Sequence, residues 1–583
     1  MSLICLIPAR AGSKRLFNKN LRLVGGISLV GRAVLTAREF LRLTGITGAT
    51  ILVDTDGDAI AEEARRWGAT VPFLRPAGVA GDAVSTADSS LAALDRLERT
   101  GAVFGTIVLL QPTSPLRSAE DVVACWRTYD VNERPSVISL VGTAHPASHA
   151  LRLDPGGGVQ SHCDDPGAKH RQEYSPTFWP SGAVYVSSVA VLRQEKSFIV
   201  PRLTVGVALP RLRSVDIDTE EDLVLAESLL GSTPPKAISL GGQLIGSGHT
   251  CFVITEAGVN HNGDLRAAHR LIDIAAAAGA DAVKFQTFDP EGLAAAKAPK
   301  ADYQITQTGA GESQLDMLRR LALPRESLAQ LAAHAAEKNL LFLSTAFDVG
   351  SADFLDDLGM TAFKVPSGEV TNHRFLAHLA RKGKPLLIST GMSTLPEVAD
   401  AVEVVRANGG PPLALFHCVS DYPAAPGDCN LRAIHTMQRT FGVPVGWSDH
   451  TLGVTVGVAA VAGGASLIEK HFTLDRNLPG PDHQASLEPD ELTTFIAAIR
   501  EAEAAMGDGN KRPVPAEAAI AAVVRRSMHA ARSLPAGHVL EDGDLVALRP
   551  GTGIPPSSCT RLLGRALRVE VLRGEMLQEQ SLA

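Results

Sequence analysis

Eight short apolar segments, each running into polar or charged side chains, constrain the fold of this chain more than any other feature. They are predicted as strands at residues 251–254, 281–285, 340–343, 361–364, 386–388, 413–416, 443–446 and 466–468. Stretches with apolar residues at helical spacing separate them. Eight parallel strands that alternate with helices close into a barrel whose active face lies at the carboxyl ends of the strands. The sequence therefore predicts a (β/α)8 TIM barrel with its polar side chains gathered at one mouth.

Two histidines end the last two predicted strands, which are neighbours in a closed barrel. His450 follows Asp449, and His471 comes two residues after Glu469. A single histidine at a strand end is more often an ordinary polar residue, but two imidazoles with open positions between them suit a divalent ion. The pair therefore predicts a metal site in the barrel mouth.

Cations and hydroxyls are predicted at the same mouth, and they suit an anionic, phosphate-bearing substrate. These side chains are Lys284, Thr345, Lys364, Ser367 and Ser389. Glu256 and Glu369 also lie at strand ends, where a carboxyl group can act as a general acid or base. Gln286 ends the second strand beside Lys284. The mouth is thus predicted to bind an anion and to move protons.

Residues 1–232 alternate strands and helices in the pattern of a doubly wound α/β domain. The first predicted strand, 3–7, runs into a loop of small residues that carries Arg10, Ser13 and Lys14, and Lys19 and Asn20 follow. Backbone N–H groups in such a loop, with cations at its rim, suit a triphosphate. The spacing differs from that of a Walker P-loop. Asp54 and Asp56, after a later strand, are interpreted as turn or cap residues.

Length and composition set the domain organisation and the compartment. At 583 residues the chain is too long for one core. We predict a domain at 1–232, a Gly- and Pro-rich linker at 233–248, the barrel at 249–512 and a small β-rich domain at 523–583. A net charge of −8 argues against a nucleic-acid partner, and seven scattered cysteines without a CxxC pair favour the reducing cytoplasm. The longest apolar stretch, 454–468, is too short to span a bilayer.

The first domain resembles the acylneuraminate cytidylyltransferases through IPARAGSK, NKN, LLQPTSPLR and VDIDTEED. The resemblance implies transfer of CMP from CTP to a 2-keto sugar acid with release of pyrophosphate. It assigns the CTP phosphates to Arg10, Ser13, Lys14, Lys19 and Asn20, with Arg10 and Asp218 in catalytic roles. It further implies that Gln111 and Ser114 read the nucleotide or the sugar, and that Asp216 and Asp218 carry Mg²⁺. The sequence departs from the family pattern at Phe17 and Ser181.

The barrel resembles the sialic acid synthases, which include legionaminate and pseudaminate synthases. The matching motifs are EAGVNHNG, KFQTF, FKVPSGE, ISTGM, HCVSDYP, GWSDHT, IEKHFT and PGPDH. The resemblance implies condensation of phosphoenolpyruvate with an open-chain N-acylamino sugar, such as N-acetylmannosamine, to a nonulosonic acid and phosphate.

The same resemblance assigns the barrel residues. Phosphoenolpyruvate is held by Lys284, Thr345, Lys364, Ser367, Ser389 and Ser448. The metal, Mn²⁺ or Mg²⁺, is held by His450 and His471. The residues that meet the sugar or move protons are Glu256, Glu369, Tyr422 and Asp482, with Glu256, Glu369 and Lys364 in catalytic roles, and Gln286 is a further substrate-binding residue. Ser420 stands where some members have asparagine.

The last segment, 523–583, resembles the antifreeze-like (SAF) domain that ends sialic acid synthases. In that family the domain covers the barrel mouth of the partner subunit. The resemblance therefore implies a domain-swapped homodimer in which Arg549, of the RPGTGI motif, reaches the sugar.

The hypothesis from sequence is a bifunctional cytoplasmic enzyme without an organic cofactor. The barrel makes a nonulosonic acid and the first domain activates it as its CMP derivative. Two alternatives stay open: the same reactions on legionaminate- or pseudaminate-type sugars, or one half that is a non-catalytic sugar-binding or scaffold domain.

Overall fold

The computed structural model describes residues 2–13, 15–76, 78, 81, 84–130, 133–143, 151–153, 159–161, 177–231, 234–309 and 311–583. The chain divides into two compact units, Met1–Ala504 and Ala505–Ala583. The first unit contains an α/β domain and a closed barrel, and the second contains the C-terminal segment.

The α/β domain is built on a six-stranded mixed sheet. Its strands, in spatial order, are Thr204–Leu209, Ser136–Gly142, Phe178–Ser188, Thr106–Leu110, Leu3–Pro8 and Thr50–Asp54. Phe178–Ser188 runs antiparallel to both neighbours, and the other pairs are parallel. The all-apolar sequence of Leu3–Ile7 suits a central strand that is covered on both faces.

Helices pack on this sheet, and two pairs of short antiparallel strands lie outside it. The helices are Leu29–Thr44, Asp58–Arg66, Thr86–Glu98, Ala119–Thr128, Val189–Glu195 and Glu220–Gly231. The paired short strands are Leu23–Val24 with Ile27–Ser28, and Leu151–Leu153 with Val159–Ser161. Helix Leu29–Thr44 begins where the backbone N–H of Gly31 donates to Ser28 Oγ at 3.0 Å, and it ends at Gly45, whose φ of 66° is left-handed. The predicted α/β fold is confirmed.

Eight parallel strands close a barrel in sequence order, so the predicted TIM barrel is confirmed. They are Phe252–Gly258, Ala282–Thr287, Leu341–Ala346, Phe363–Val365, Leu386–Ser389, Leu413–Cys418, Val445–Asp449 and Leu467–His471. The first and last strands pair with each other, and Glu256 lies opposite His471. Most strands extend beyond the apolar segments predicted from sequence, so several site residues are the last residues of a strand.

The outer helices follow the strands in the usual alternation. They are Leu265–Ala277, Arg325–Glu337, Val349–Asp357, His373–Arg381, Leu395–Ala407, Arg432–Phe441, Thr455–Ala462 and Pro489–Met506. Between the second and third strands the chain forms three further short helices, Pro290–Leu293, Asp302–Thr308 and Gln314–Leu321. We refer to residues 290–321 as the excursion.

A hairpin closes the amino-terminal end of the barrel. Its strands, Ile238–Leu240 and Gln243–Ile245, lie in the segment that sequence reasoning treats as a linker. Ile238, Leu240 and Ile245 pack with apolar residues that begin the barrel strands. Access to the interior is therefore from the carboxyl-terminal mouth.

The α/β domain packs on outer helices of the barrel through ion pairs. Arg38 contacts Asp400 at 2.7 Å and Glu403 at 2.5 Å. Arg439 contacts Glu227 at 3.1 Å. These pairs join helix Leu29–Thr44 to Leu395–Ala407 and helix Glu220–Gly231 to Arg432–Phe441, so the two domains form one continuous unit.

The second unit has a small core of its own. After helix Pro515–Val524, the strands Ser527–Ala530 and Leu545–Leu548 pair antiparallel. Met528, Leu534, Leu567 and Leu577 are among its buried residues. Throughout the described part of the chain, every helix is too short or too polar to cross a membrane.

Candidate functional site

A cleft at the strand ends of the α/β domain brings together most of the predicted nucleotide-binding residues. The cavity of about 320 Å³ is lined by Arg10, Ser13, Lys19, Asn20, Gln111, Asp216 and Asp218. Lys14 lies outside the described residues. Ser114 is buried beside the cleft, and its Oγ has no hydrogen-bond partner within the described part of the chain.

Hydrogen bonds set the positions of the cleft side chains. Lys19 Nζ donates to Asp218 Oδ1 at 2.9 Å and to the carbonyl of Ile217 at 3.0 Å. The amide nitrogen of Asn20 donates to the carbonyl of Arg10 at 2.8 Å, which ties the strand-ending loop to the next element. Two carboxylates beside cations suit a hard divalent ion that bridges phosphate oxygens. The donor set of Asp216 and Asp218 therefore fits Mg²⁺.

Arg75 lines the same cleft and was not predicted from sequence. Its Nε donates to Asp54 Oδ2 at 2.8 Å, in a pair of which both members are buried. Asp56 Oδ1 accepts from the N–H of Ala11 at 2.7 Å. Asp54 and Asp56 thus hold the cleft wall and the loop.

The barrel mouth contains the larger cavity, of about 460 Å³. The predicted residues that line it are Glu256, Lys284, Gln286, Thr345, Lys364, Ser367, Ser389, Tyr422, Ser448, His450, His471 and Asp482. Glu369 is not among the lining residues; its Oε2 accepts from Asn372 Nδ2 at 2.6 Å. Arg549 is an exposed residue of the second unit.

Two buried lysines and two buried glutamates form the charged centre of this cavity. Lys284 forms an ion pair with Glu256, donates to Thr345 Oγ1 at 2.9 Å and lies 3.6 Å from Glu469. Lys364 donates to Ser389 Oγ at 2.7 Å and lies 3.3 Å from Glu469. The cations predicted to hold an anion are thus joined to hydroxyls in one network.

Glu469 is the main site residue that sequence reasoning did not assign. It accepts from Ser448 Oγ at 2.8 Å and contacts both lysines. The signal was present, because side chains two residues apart in a strand point to the same face, and His471 was predicted to face the mouth.

The two glutamates have opposite electrostatic environments. Burial raises the pKa of Glu256 to about 7, against the attraction of Lys284. Burial would also raise the pKa of Glu469, but Lys284 and Lys364 hold it well below its usual range. Burial would lower the pKa of Lys284, yet Glu256 and Glu469 raise it. Carboxyl groups whose pKa values are pushed apart can divide the roles of proton donor and fixed negative charge.

The imidazoles of His450 and His471 are neighbours, with ring centroids 5.7 Å apart and ring planes inclined at 55°. His450 Nδ1 lies 2.6 Å from the carbonyl of Val419, which only accepts, so Nδ1 carries the proton, and the unprotonated Nε2, which lies 3.3 Å from Ser448 Oγ, is the atom that could bind a metal. His471 Nδ1 is buried and has no hydrogen-bond partner among the described residues. Burial lowers the pKa of both rings, which favours the neutral form that binds metals.

This histidine pair fits a divalent ion that takes its remaining ligands from water or substrate. Within the described ranges no cluster of three or more His, Cys, Asp or Glu side chains could hold a metal. The Tyr422 ring lies 4.2 Å from the His450 ring and 5.8 Å from the His471 ring, so it borders the same space. Two protein ligands leave the open positions that a catalytic metal needs.

A buried ion pair supports the two histidine-bearing strands from behind. Lys470 Nζ donates to Asp449 Oδ2 at 2.9 Å and to the carbonyl of Thr451 at 2.5 Å. Asp449 Oδ1 also accepts from the Thr451 N–H at 3.0 Å. These bonds tie the ends of the seventh and eighth strands together, which sets the spacing of His450 and His471.

Sequence comparison decides the family. A model described as NeuB family matches residues 271–511. The N,N'-diacetyllegionaminic acid synthase of Legionella pneumophila is 46% identical over 336 residues, which cover 57% of this chain and 94% of that protein. The chain belongs to the NeuB family. The N,N'-diacetyllegionaminic acid synthase of Campylobacter jejuni is 43% identical over 330 residues, or 56% of this chain and 99% of that protein.

Two further matches surround the NeuB-family barrel. A model described as cytidylyltransferase matches residues 4–178, and one described as SAF domain matches 525–583. The predicted order of the three regions is confirmed. Among solved structures, N-acetylneuraminic acid (sialic acid) synthetase from Leptospira borgpetersenii is 32% identical, with a TM-score of 0.44, and the match covers 50% of this chain and 96% of that one.

Proposed function

We propose that the barrel condenses phosphoenolpyruvate with an open-chain N-acylamino hexose to give a nonulosonic acid and phosphate. We propose further that the α/β domain transfers CMP from CTP to this acid and releases pyrophosphate. One observation carries the proposal: two buried lysines, their hydroxyl partners and two neighbouring imidazoles line a single cavity in a NeuB-family barrel.

Phosphoenolpyruvate would bind where cations and hydroxyls are concentrated. The groups that would hold its phosphate and carboxylate are Lys284, Thr345, Lys364, Ser367, Ser389 and Ser448. Lys284 and Lys364 are each 3% exposed, so their charge acts with little screening by water. Charge-assisted hydrogen bonds of this kind are about twice as strong as neutral ones.

The condensation forms a C–C bond and a C2–O bond from water, and it breaks the C2–O bond to phosphate. C3 of phosphoenolpyruvate attacks the aldehyde carbon, and the aldehyde oxygen takes up a proton. Water adds to C2, and the C2–O bond to phosphate then breaks with its electron pair leaving on phosphate. Glu256 and Glu469 would hold or move the protons of these steps, with Tyr422, Gln286 and Asp482 toward the sugar. A divalent ion held by His450 and His471, Mn²⁺ or Mg²⁺, would polarise the aldehyde oxygen.

The cytidylyl transfer would take place in the cleft of the first domain. Arg10, Lys19 and Asn20 would hold the CTP phosphates, and Asp216 and Asp218 would hold Mg²⁺. The anomeric hydroxyl of the acid attacks the α-phosphorus while pyrophosphate leaves. Catalysis of this type depends on positioning and on neutralisation of phosphate charge.

Relatives favour a legionaminate-type acid over N-acetylneuraminate. The two relatives named N,N'-diacetyllegionaminic acid synthases are 46% and 43% identical, whereas N-acetylneuraminate-9-phosphate synthase of Homo sapiens is 34% identical. We therefore propose an acylamino hexose with two N-acetyl groups as the preferred sugar.

We also infer a homodimer in which the SAF domain of one chain brings Arg549 to the barrel of the other.

A substrate panel tests the proposed function. The full-length protein would receive phosphoenolpyruvate, CTP, Mg²⁺ or Mn²⁺ and one of several acylamino hexoses, and mass spectrometry would identify the products. We expect a CMP-linked nine-carbon acid, with the diacetamido sugar converted fastest. The proposed condensation is wrong if no hexose yields phosphate. If only the condensation or only the CMP transfer occurs, the alternative in which one half is non-catalytic is correct.

Gly391 gives a test of packing at the anion site. A Cβ there would overlap Ser420 Oγ and lie 2.9 Å from Ser367 Oγ and 3.0 Å from Cys418 Sγ. We expect Gly391→Ala to lower kcat/KM for phosphate release about 5- to 150-fold, because overpacking that displaces Ser367 costs about 1–3 kcal/mol. In Gly427→Ala the added Cβ meets nothing within 4 Å, so this control should keep full activity. Equal kcat/KM for the two variants would contradict the packing argument.

A further inference from the structure

A short hairpin of the first domain, residues 23–28, lies in close contact with an outer helix of the barrel. Its two strands are joined by Gly25 and Gly26, whose φ angles of 58° and 76° are left-handed. A Cβ added at Gly26 would lie only 2.2 Å from Thr436 Cγ2, on helix Arg432–Phe441. The turn therefore approaches the barrel helix more closely than any residue except glycine allows.

Glu227 connects this hairpin to the same barrel helix. Its Oε1 accepts from the Gly25 N–H at 2.7 Å, and its Oε2 accepts from Arg439 Nη1 at 3.1 Å. Thr440 Oγ1 donates to the carbonyl of Gly25 at 3.3 Å. One carboxylate thus holds a backbone N–H of the first domain and a guanidinium of the barrel together. We refer to Gly25, Gly26, Glu227, Thr436 and Arg439 as the joint.

The hairpin side of the joint continues directly into the nucleotide cleft. Lys19 and Asn20 line the cleft, and the hairpin begins three residues after Asn20. Arg22, between them, has its N–H bonded to the carbonyl of Lys19 at 3.0 Å. Its guanidinium donates to both carboxylate oxygens of Glu220, at 2.6 and 2.7 Å. A displacement of the hairpin is therefore transmitted to Lys19 through a short, hydrogen-bonded stretch of chain.

The helix side of the joint also leads to the cleft. Helix Glu220–Gly231, which carries Glu227, begins two residues after Asp218, the proposed Mg²⁺ ligand. Lys19 Nζ donates to Asp218 Oδ1 at 2.9 Å and so links the two segments. One buried apolar cluster contains residues of the hairpin, of the cleft segment and of the helix, namely Val24, Ile217, Leu223 and Ala226. The joint and the cleft are thus built on the same two stretches of chain.

We propose that Arg439 of the barrel is a positioning residue for cytidylyl transfer in the first domain. By fixing the Glu227 carboxylate, it holds the hairpin and the helix whose neighbouring segments bring Lys19 and Asp218 into the cleft. Phosphoryl-type transfer depends on position, and a misplacement of about 1 Å can cost about 100-fold in rate. The barrel therefore supports the second reaction as well as carrying out the first. This positioning role rests on the proposed cytidylyl transfer.

A steric variant with a matched control tests the joint in the full-length protein. Gly26→Ala places a methyl group against Thr436 Cγ2 and should displace the hairpin. We expect the Kd of Mg·CTP, measured by calorimetry, and the KM for CTP to rise about 5- to 150-fold. Gly48→Ala introduces the same left-handed strain, at φ of 74°, but its Cβ meets nothing within 4 Å, so both constants should stay unchanged.

A second substitution on the barrel should repair this defect of the first domain. Thr436→Ala removes the methyl group that the new Cβ would strike and leaves Thr436 Cβ, at 3.4 Å, as the nearest barrel atom. We expect Thr436→Ala alone to keep both activities, and the double variant Gly26→Ala/Thr436→Ala to recover most of the lost Mg·CTP affinity. General destabilisation by Gly26→Ala would not be reversed in this way.

Charge variants test Arg439 itself and carry the test alone if Gly26→Ala fails to fold. The Arg439 and Glu227 side chains are each 35% exposed, so reversal of the charge is a sharper change than its removal. We expect Arg439→Glu to raise the Kd of Mg·CTP about 3- to 30-fold, and the conservative Arg439→Lys to change it less than about 3-fold. Arg193→Glu reverses an arginine that contacts Asp95 at 2.6 Å within the first domain, and it should leave the Kd unchanged.

Phosphate release by the barrel, measured on the same preparations, should stay at its normal rate in all of these variants. Unchanged Mg·CTP affinity in Gly26→Ala or in Arg439→Glu would overturn the positioning role, and so would a Gly26→Ala defect that Thr436→Ala does not repair. Parallel loss of phosphate release and nucleotide affinity would also overturn it, because the cause would then be general loss of the fold. An unmodified protein that binds no Mg·CTP would instead overturn the proposed cytidylyl transfer.

Discussion

His471→Ala is expected to abolish phosphate release from phosphoenolpyruvate while CMP transfer to a supplied nonulosonic acid continues at its normal rate. The ring of His471 is buried in the barrel mouth, 5.7 Å from that of His450, and its removal leaves one imidazole to hold an ion. Loss of the metal's contribution of several kcal/mol lowers the rate at least about 1000-fold. Phosphate release and CMP transfer would be measured separately on the same preparation.

The control for this variant is a histidine on the outer surface of the barrel. His378 contacts Asp353 at 2.6 Å on the outer helices, and His378→Ala should keep both activities. Addition of excess Mn²⁺ should restore little activity to His471→Ala. A higher metal concentration offsets weaker metal binding, but it does not replace the missing imidazole ligand. Loss of both activities in His471→Ala, with the fold intact by circular dichroism, would show that the two sites are not independent.

Asp218→Asn is expected to have the opposite effect. The carboxylate accepts from Lys19 at 2.9 Å in the first-domain cleft, where it and Asp216 are the proposed ligands of Mg²⁺. Without one carboxylate, neutralisation of the phosphate charge fails, and CMP transfer should fall at least about 1000-fold. The Mg²⁺ concentration for half-maximal rate should rise, and phosphate release by the barrel should not change.

A matched acidic residue is available in the same domain. Asp95 contacts Arg193 at 2.6 Å on the surface, so Asp95→Asn removes a carboxylate without touching the cleft. We expect this variant to transfer CMP at the normal rate. An Asp218→Asn protein that keeps its CMP transfer and its Mg²⁺ dependence would remove Asp218 from the proposed site.

Strands that are apolar throughout could be predicted from sequence, and strands that depend on distant partners could not. All eight barrel strands were predicted because each is buried on both faces and ends in polar residues. The paired strands Thr204–Leu209 and Ser136–Gly142 were both missed, because their apolar runs are short and interrupted by serine or glycine, and the pairing itself defines them. The antiparallel direction of Phe178–Ser188 likewise depends on neighbours far away in the chain.

The same distinction separates the site residues that could be predicted from sequence from those that could not. Residues at strand ends, such as Lys284, Lys364 and His471, could be predicted because the barrel brings every strand end to one mouth. The excursion could not, since its helices are only 4, 7 and 8 residues long and are held by contacts such as Lys300 with Glu312. Glu369 lies at a strand end in sequence, yet its carboxyl group accepts from Asn372, three residues further along the chain, and Glu369 is not among the residues that line the cavity.

Complementation between two inactive variants tests most directly the claim that one chain holds two separate catalytic pockets. His471→Ala and Asp218→Asn proteins would be incubated, alone and mixed, with ¹³C₃-labelled phosphoenolpyruvate, CTP and the diacetamido hexose. We expect no CMP-linked acid from either variant alone, and a product three mass units heavier from the mixture. A mixture that forms no labelled CMP-linked acid, although each variant keeps its remaining partial activity, would contradict it.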